Sequence, residues 1–134
     1  MDPITELLRT ARTIAVVGCS PKPHRDSHRV AAYLQRAGYR IVPVNPGFDE
    51  ILGVPCYPTL GSVPRDVEID IVDVFRRSEH VPPIVDAAVA RGVAAVWLQL
   101  GVSHPQAEAR AREAGLQVVS DRCLKIEHSR RIGH

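Results

Sequence analysis

The chain has 134 residues, of which 24% are charged and 45% apolar, and its formal net charge is +2. These values predict one globular cytoplasmic domain over residues 1–134, and the dispersed basic residues exclude a nucleic-acid-binding tract. No apolar run reaches the ~20 residues of a membrane span, and the first residues do not form a signal peptide. Three widely spaced cysteines without a C-x-x-C pair indicate neither a disulfide framework nor a zinc site.

Short apolar runs rich in β-branched residues alternate with helical patterns along the chain. The runs predict strands buried on both faces, at residues 13–18, 40–45, 70–75, 94–101 and 116–121. The helical patterns each stop at a glycine, and they cover residues 27–37, 78–91 and 104–114. The proline-rich stretch 47–65 predicts a long loop with a short extra strand near 54–57, and a last helix is expected at 124–131.

This alternation predicts an α/β fold, a doubly wound, Rossmann-like parallel sheet in a single domain. The simplest order of its five main strands is 3-2-1-4-5. Ligands of such sheets bind outside the carboxyl ends of the strands, at the point where the strand order reverses. The residues that close each strand are therefore the candidates for a binding site.

The first strand runs into "GCSPKPHRDS", where only Gly18 stands in place of the three glycines of a dinucleotide fingerprint. Gly18 lets the chain turn, and the amides at the start of the following helix can bind a phosphate. Hydroxyl and cationic side chains of this loop can add donors and charge: Ser20, Lys22, Arg25 and Ser27. The alternative for Asp26 and Ser27 is a role as helix N-cap.

The second strand closes with "VPVNP" and lacks the acidic residue that holds the adenosine ribose in a classical NAD site. Asn45 and Pro46 cannot replace that acid. Together with the basic first loop, this favours a nucleotide with a phosphorylated ribose, either NADP or coenzyme A (CoA). A purely structural role for the prolines of this segment is the alternative.

The third and fourth strands close with "VFRRSEHVP" and "WLQLGV". Phe75 can lie against an adenine or a pantetheine chain, and Arg76 can bind a phosphate. The alternatives are a core position for Phe75 and a solvated one for Arg76. Gly101 either permits close approach of the ligand or only makes the turn before a helix.

The segments "GCSPKPHRDS", "VPVNP", "VDVFRRSEHVP", "WLQLGV" and "DRCLKIEH" together resemble the small stand-alone bacterial CoA-binding proteins. That family resembles the N-terminal CoA-binding domain of the succinyl-CoA synthetase α subunit. The resemblance implies that CoA or an acyl-CoA is the small-molecule ligand. By this resemblance the phosphates would be held by the first loop, with Gly18, Cys19, Ser20, Lys22, Arg25 and Ser27. The nucleotide side would be lined by Val44, Asn45 and Pro46. The remaining cleft would be bordered by Phe75, Arg76, Gly101 and Val102.

The synthetase α subunit continues into a second domain with a phosphorylated histidine, whereas this sequence stops at His134. We therefore expect a CoA-binding module without chemistry, metal or membrane association of its own. One alternative is an acyl-CoA-acting enzyme in which a helix N-terminus and nearby cations activate Cys19. The other is an NADP-binding redox or regulatory module. Near the end of the chain, Cys123 is expected to be buried, and Glu127 and His128 are expected on a solvated or interface face.

Overall fold

The computed structural model describes residues 1–133, in which seven strands and five α-helices form a layered α/β structure. The strands are β1 (Thr13–Val17), β2 (Arg40–Val44), β3 (Glu50–Ile51), β4 (Val54–Pro55), β5 (Ile71–Val74), β6 (Ala95–Leu98) and β7 (Gln117–Val119). The helices are α1 (Pro3–Thr10), α2 (Asp26–Arg36), α3 (Val81–Arg91), α4 (Pro105–Glu113) and α5 (Leu124–Arg131). Two 3₁₀ turns, Leu60–Ser62 and Ser78–His80, complete the described elements.

Five strands form one parallel sheet in the order β2-β1-β5-β6-β7. The predicted doubly wound α/β class with five main strands is confirmed. The order is 2-1-3-4-5 when the main strands are counted along the chain, not the simplest order 3-2-1-4-5. The third main strand pairs directly with the first, with Ile14 opposite Ile71. The order therefore reverses between β1 and β5.

The segment between β2 and β5 is the physical reason for this order. It contains no α-helix, yet its side chains Leu60, Val63 and Val67 are buried in the same core as Val85 of α3. The segment thus covers one face of the sheet as a crossover helix would, while α2 covers the opposite face. It carries the chain back over β1, and right-handed crossovers on both faces then give the observed order.

The predicted extra strand near 54–57 is part of a small hairpin formed by β3 and β4. Tyr57 extends this region back to the main sheet, because the Asn45 amide donates to the Tyr57 carbonyl at 2.9 Å. The hairpin therefore lies next to the carboxyl end of β2.

Helix α5 has the predicted bounds, but its inner face is more polar than an ordinary core. Glu127 and His128 are 9% and 5% exposed within this single chain, so the predicted position of both residues on a solvated or interface face is wrong. The Tyr33 hydroxyl and His128 Nδ1 lie 2.9 Å apart, and Arg131 Nε donates to Glu127 at 3.2 Å. Burial lowers the pKa of His128. Cys123, expected to be buried, is only partly so.

None of the helices within residues 1–133 has the length and apolar character needed to cross a bilayer.

Candidate functional site

The loops after β1 and β5 meet where the strand order reverses. The Gly18 amide donates to Val44 at 2.8 Å, and the Phe75 amide donates to Val17 at 2.8 Å. Gly18 has φ +86°, and a Cβ atom there would overlap the carbonyl oxygen of Phe75. The glycine is therefore required by the close approach of two protein loops, in addition to any ligand.

Side-chain hydrogen bonds from α2 and from the end of β2 fix the first loop. Ser27 Oγ accepts from the Ser20 amide at 2.9 Å, and His28 Nδ1 lies 2.9 Å from the Ser20 carbonyl oxygen. From the end of β2, Asn45 Nδ2 donates to the Cys19 carbonyl at 2.8 Å. Ser27 and Asn45 thus hold the loop in one conformation, a positioning role that the sequence pattern did not indicate.

The start of α2 carries no side-chain cap. Its N-cap residue is Arg25, Ser27 binds the first loop, and Asp26 forms an ion pair with Arg29. The alternative reading of Asp26 or Ser27 as the N-cap is therefore wrong. Because the first amides of a helix have no partner within the helix, they stay available to an anion at this end.

A cavity of about 500 Å³ opens at this point, between the first loop, the start of α2 and the ends of β2 and β5. We call it the loop pocket. Its lining residues are Gly18, Ser20, Pro21, Lys22, Arg25, Asp26, Ser27, Asn45, Phe48, Phe75 and Arg76.

The charge of the loop pocket is positive. Lys22, Arg25 and Arg76 line it, and their side-chain nitrogens form no ion pair or hydrogen bond with any residue in the described range 1–133. The single carboxylate of the lining, Asp26, is paired with Arg29. Three unpaired cations and an uncapped helix start therefore face the same cavity, an arrangement suited to a polyanion.

Several of the predicted site residues lie elsewhere. Val44 lines a neighbouring, more apolar cavity with Leu60 and Arg76, Pro46 is exposed outside the loop pocket, and Val102 belongs to the core. The Gly101 amide donates to Asp121 Oδ1 at 2.7 Å. Gly101 and Val102 do not reach the loop pocket because β5 separates β6 from β1, whereas the order 3-2-1-4-5 would have placed the fourth main strand beside the first.

Cys19 is also absent from the lining of the loop pocket. Its side chain has no exposed surface, and burial, followed by the nearby Cys56 and Asp73, raises its pKa to about 12. Burial of the thiol thus speaks against the alternative in which the helix N-terminus activates Cys19. The sequence placed Cys19 correctly in the loop, but the direction of its side chain, into the core with Leu34 and Trp97, depends on tertiary packing.

Three lining residues were not predicted, namely Pro21, Asp26 and Phe48. Phe48 is 42% exposed. Its place in the irregular segment after β2 gave no signal in the sequence, because that segment has no periodicity from which its position could be read.

The sequence was compared with models of known protein families. A model of the CoA binding domain matches residues 12–129. The chain belongs to this family of CoA binding domains. The family resemblance carried by the five sequence segments is thereby confirmed.

Relatives of this CoA binding domain include both stand-alone proteins and parts of larger ones. The uncharacterized protein YneT of Bacillus subtilis is 41% identical over 94% of this chain and 92% of its own length. A hypothetical protein from Pyrococcus horikoshii superimposes with a TM-score of 0.92 at 40% identity, covering 97% of this chain and 90% of that one. The ADP-forming acetate–CoA ligase I of Archaeoglobus fulgidus is 30% identical over 87% of this chain, which corresponds to 17% of the ligase.

Proposed function

We propose that the protein binds CoA or an acyl-CoA in the loop pocket, as a binding module without catalysis of its own. The observation that carries this proposal is the convergence of Lys22, Arg25 and Arg76, all without an ionic partner among residues 1–133, on one cavity. Membership of the CoA binding domain family supports it.

The negative charge of the CoA pyrophosphate is complementary to the positive charge of the first loop and the start of α2. The uncapped amides of α2 are available to one phosphate, and Lys22 and Arg25 flank them on the lining of the pocket. Ser20 and Ser27 hold the loop that presents these groups. Little reorganisation is then needed on binding, which favours affinity.

The third unpaired cation, Arg76, is available to the extra ribose phosphate that distinguishes CoA from dephospho-CoA. Its planar guanidinium can bind a phosphate in a bidentate manner. Phe48 and Phe75 border the same pocket and offer aromatic surface to the adenine or to the start of the pantetheine arm.

Calorimetric titration with CoA, dephospho-CoA, NAD and NADP tests the proposal. We expect CoA to bind more tightly than the other three. Replacement of Lys22 by alanine should weaken CoA binding by about 1–3 kcal/mol, the scale of a hydrogen bond to a charged group. Arg76→Ala should reduce the preference for CoA over dephospho-CoA.

Arg77→Ala is the matched control, because Arg77 is adjacent in sequence, does not line the pocket, and lies 3.9 Å from Glu79 in an exposed ion pair. This variant should bind CoA as the unmodified protein does. A failure to prefer CoA over NADP would remove the proposal and leave the NADP-binding alternative. If Lys22→Ala weakens the free energy of CoA binding by less than a few tenths of a kcal/mol, the Lys22 side chain points to solvent and does not contact the ligand.

A further inference from the structure

A second cavity, of about 330 Å³, lies next to the loop pocket and shares Phe75 and Asp26 with it. We call it the α5 cavity. It is formed where the end of β6 meets the starts of α2 and α5, and its lining residues are Asp26, Arg29, Val30, Phe75, Gln99, Leu100, Cys123, Lys125 and Ile126. Two apolar side chains on this lining, Leu100 and Ile126, are 62% and 41% exposed. The α5 cavity thus adjoins the basic loop pocket at Phe75 and Asp26 and has a more apolar lining.

Gln99 presents an unused hydrogen-bond donor in the α5 cavity. The residue is only 5% exposed, and its Oε1 accepts from the Leu124 amide at 3.0 Å, which fixes the orientation of the carboxamide. Its Nε2 has no hydrogen-bond partner within residues 1–133. Since the fully buried side-chain atoms without a partner in that range all belong to Asp73, Nε2 keeps access to the cavity. A donor held in this way suits a ligand carbonyl, such as the amide carbonyls of a pantetheine arm.

Cys123 is the thiol that borders this cavity. It stands at the N-cap position of α5 and is partly exposed, whereas Cys19 and Cys56 are buried. Burial raises the pKa of both buried thiols. The partly exposed thiol among the described residues therefore lies in the α5 cavity, which Arg29 and Lys125 also line.

We propose that Cys123 forms a mixed disulfide with CoA by exchange with the disulfide of CoA. This inference rests on the proposed function, because the nucleotide half of the ligand must occupy the loop pocket. The pantetheine arm then passes Phe75, an amide carbonyl accepts from Gln99, and the sulfur reaches Cys123.

The exchange balances without a further oxidant. The Cys123 thiol gives its proton to solvent, and the thiolate attacks one sulfur of the disulfide. The bond between Cys123 and that sulfur forms as the original S–S bond breaks, and the second CoA leaves as a thiolate that takes up a proton. Cys123 is oxidised and the departing CoA is reduced.

The test compares the disulfide of CoA with glutathione disulfide at equal concentration and mildly alkaline pH, with adducts measured by intact-mass spectrometry and peptide mapping. We expect one CoA per chain, attached at Cys123, and an initial rate at least about tenfold higher than with glutathione disulfide, because binding raises the effective concentration of the reacting sulfur. Cys123→Ser should abolish the adduct. Lys22→Ala should slow the reaction with the CoA disulfide, whereas Arg77→Ala, which changes a residue outside both cavities, should not.

Titration of reduced CoA into the Cys123→Ser variant separates this inference from the proposed function. If CoA binds to this variant but the CoA disulfide reacts no faster than glutathione disulfide with the unmodified protein, the mixed disulfide is refuted and the binding function stands. Attachment at Cys19 or Cys56 also refutes it. If reduced CoA does not bind to either protein, the proposed function itself fails and this inference fails with it.

Discussion

Replacement of Gly18 by alanine should destabilise the protein by about 2–5 kcal/mol. Two costs add at this position. The backbone has φ +86°, where an L side chain costs roughly 1–2 kcal/mol. The new Cβ would also overlap the Phe75 carbonyl oxygen, and an overpacked site of this kind costs typically about 1–3 kcal/mol. Because the neighbour is backbone in β5's exit loop, it cannot rotate away as a flexible side chain can.

Urea unfolding followed by circular dichroism measures this loss as a lower midpoint at an unchanged slope. Gly47→Ala is the matched control, because Gly47 has φ +92° but nothing within 4 Å of a new Cβ. It should show the backbone cost alone. Equal losses in the two variants would mean that the loops after β1 and β5 can separate freely, which would contradict the close packing of Gly18 against the Phe75 backbone. CoA binding by Gly18→Ala should fall as well, since Phe75 and Arg76 follow the displaced backbone.

The five main strands and the helices α2 to α5 were predictable because each depends on its own stretch of sequence, whereas α1 and β3 were not predicted. The five main strands are nearly continuous apolar runs, and α5 begins and ends as its pattern predicts. The strand order was not predictable in the same way. It depends on Leu60, Val63 and Val67, whose burial against the sheet turns an irregular segment into a crossover, and no periodicity marks that role.

The candidate site was predictable to the extent that it depends on the first loop. Lys22, Arg25 and Ser27 follow β1 directly, so the rule that ligands bind at strand ends was enough to place them. Gly101 and Val102 do not line the loop pocket, because β5 lies between β6 and β1. The direction of a side chain is a further step that the sequence pattern does not reach: Cys19 points into the core, and His128 meets Tyr33 from 95 positions away.

Asp73 is a buried carboxyl group within β5, and the apolar pattern of that strand did not indicate its burial. It has no exposed surface, and neither carboxylate oxygen has a hydrogen-bond partner within residues 1–133. In the sheet register it stands between Val16 and Trp97. An unpaired carboxyl group in such surroundings costs free energy in either protonation state, and more when it is charged.

Replacement of Asp73 by valine should therefore stabilise the protein, and the gain should grow with pH. Burial raises the pKa of Asp73 well above the ordinary value of 3.8. At a pH between 3.8 and the raised pKa of the folded state, Asp73 keeps a proton in the folded protein that it has released in the unfolded chain. The free energy of unfolding therefore falls by about 1.4 kcal/mol for each pH unit in this range. The penalty is absent below the ordinary value and increases until the pH passes the pKa of the folded state. Asp73→Val has no carboxyl group at this position, so its free energy of unfolding should not show this decrease with pH.

Urea unfolding of both proteins at a series of pH values from acid to neutral measures the effect. Asp73→Asn should also remove the pH dependence but gain less stability, because it keeps an unpaired polar group in the core. Asp70→Val is the matched control, and we expect it to destabilise the protein. Asp70 Oδ2 accepts from the amides of Arg12 and Thr13, both at 2.9 Å. Removal of the carboxylate leaves those two donors without this partner. Parallel stability curves for the unmodified protein and Asp73→Val would show that the buried carboxyl group has a partner after all, and would contradict its isolation between Val16 and Trp97.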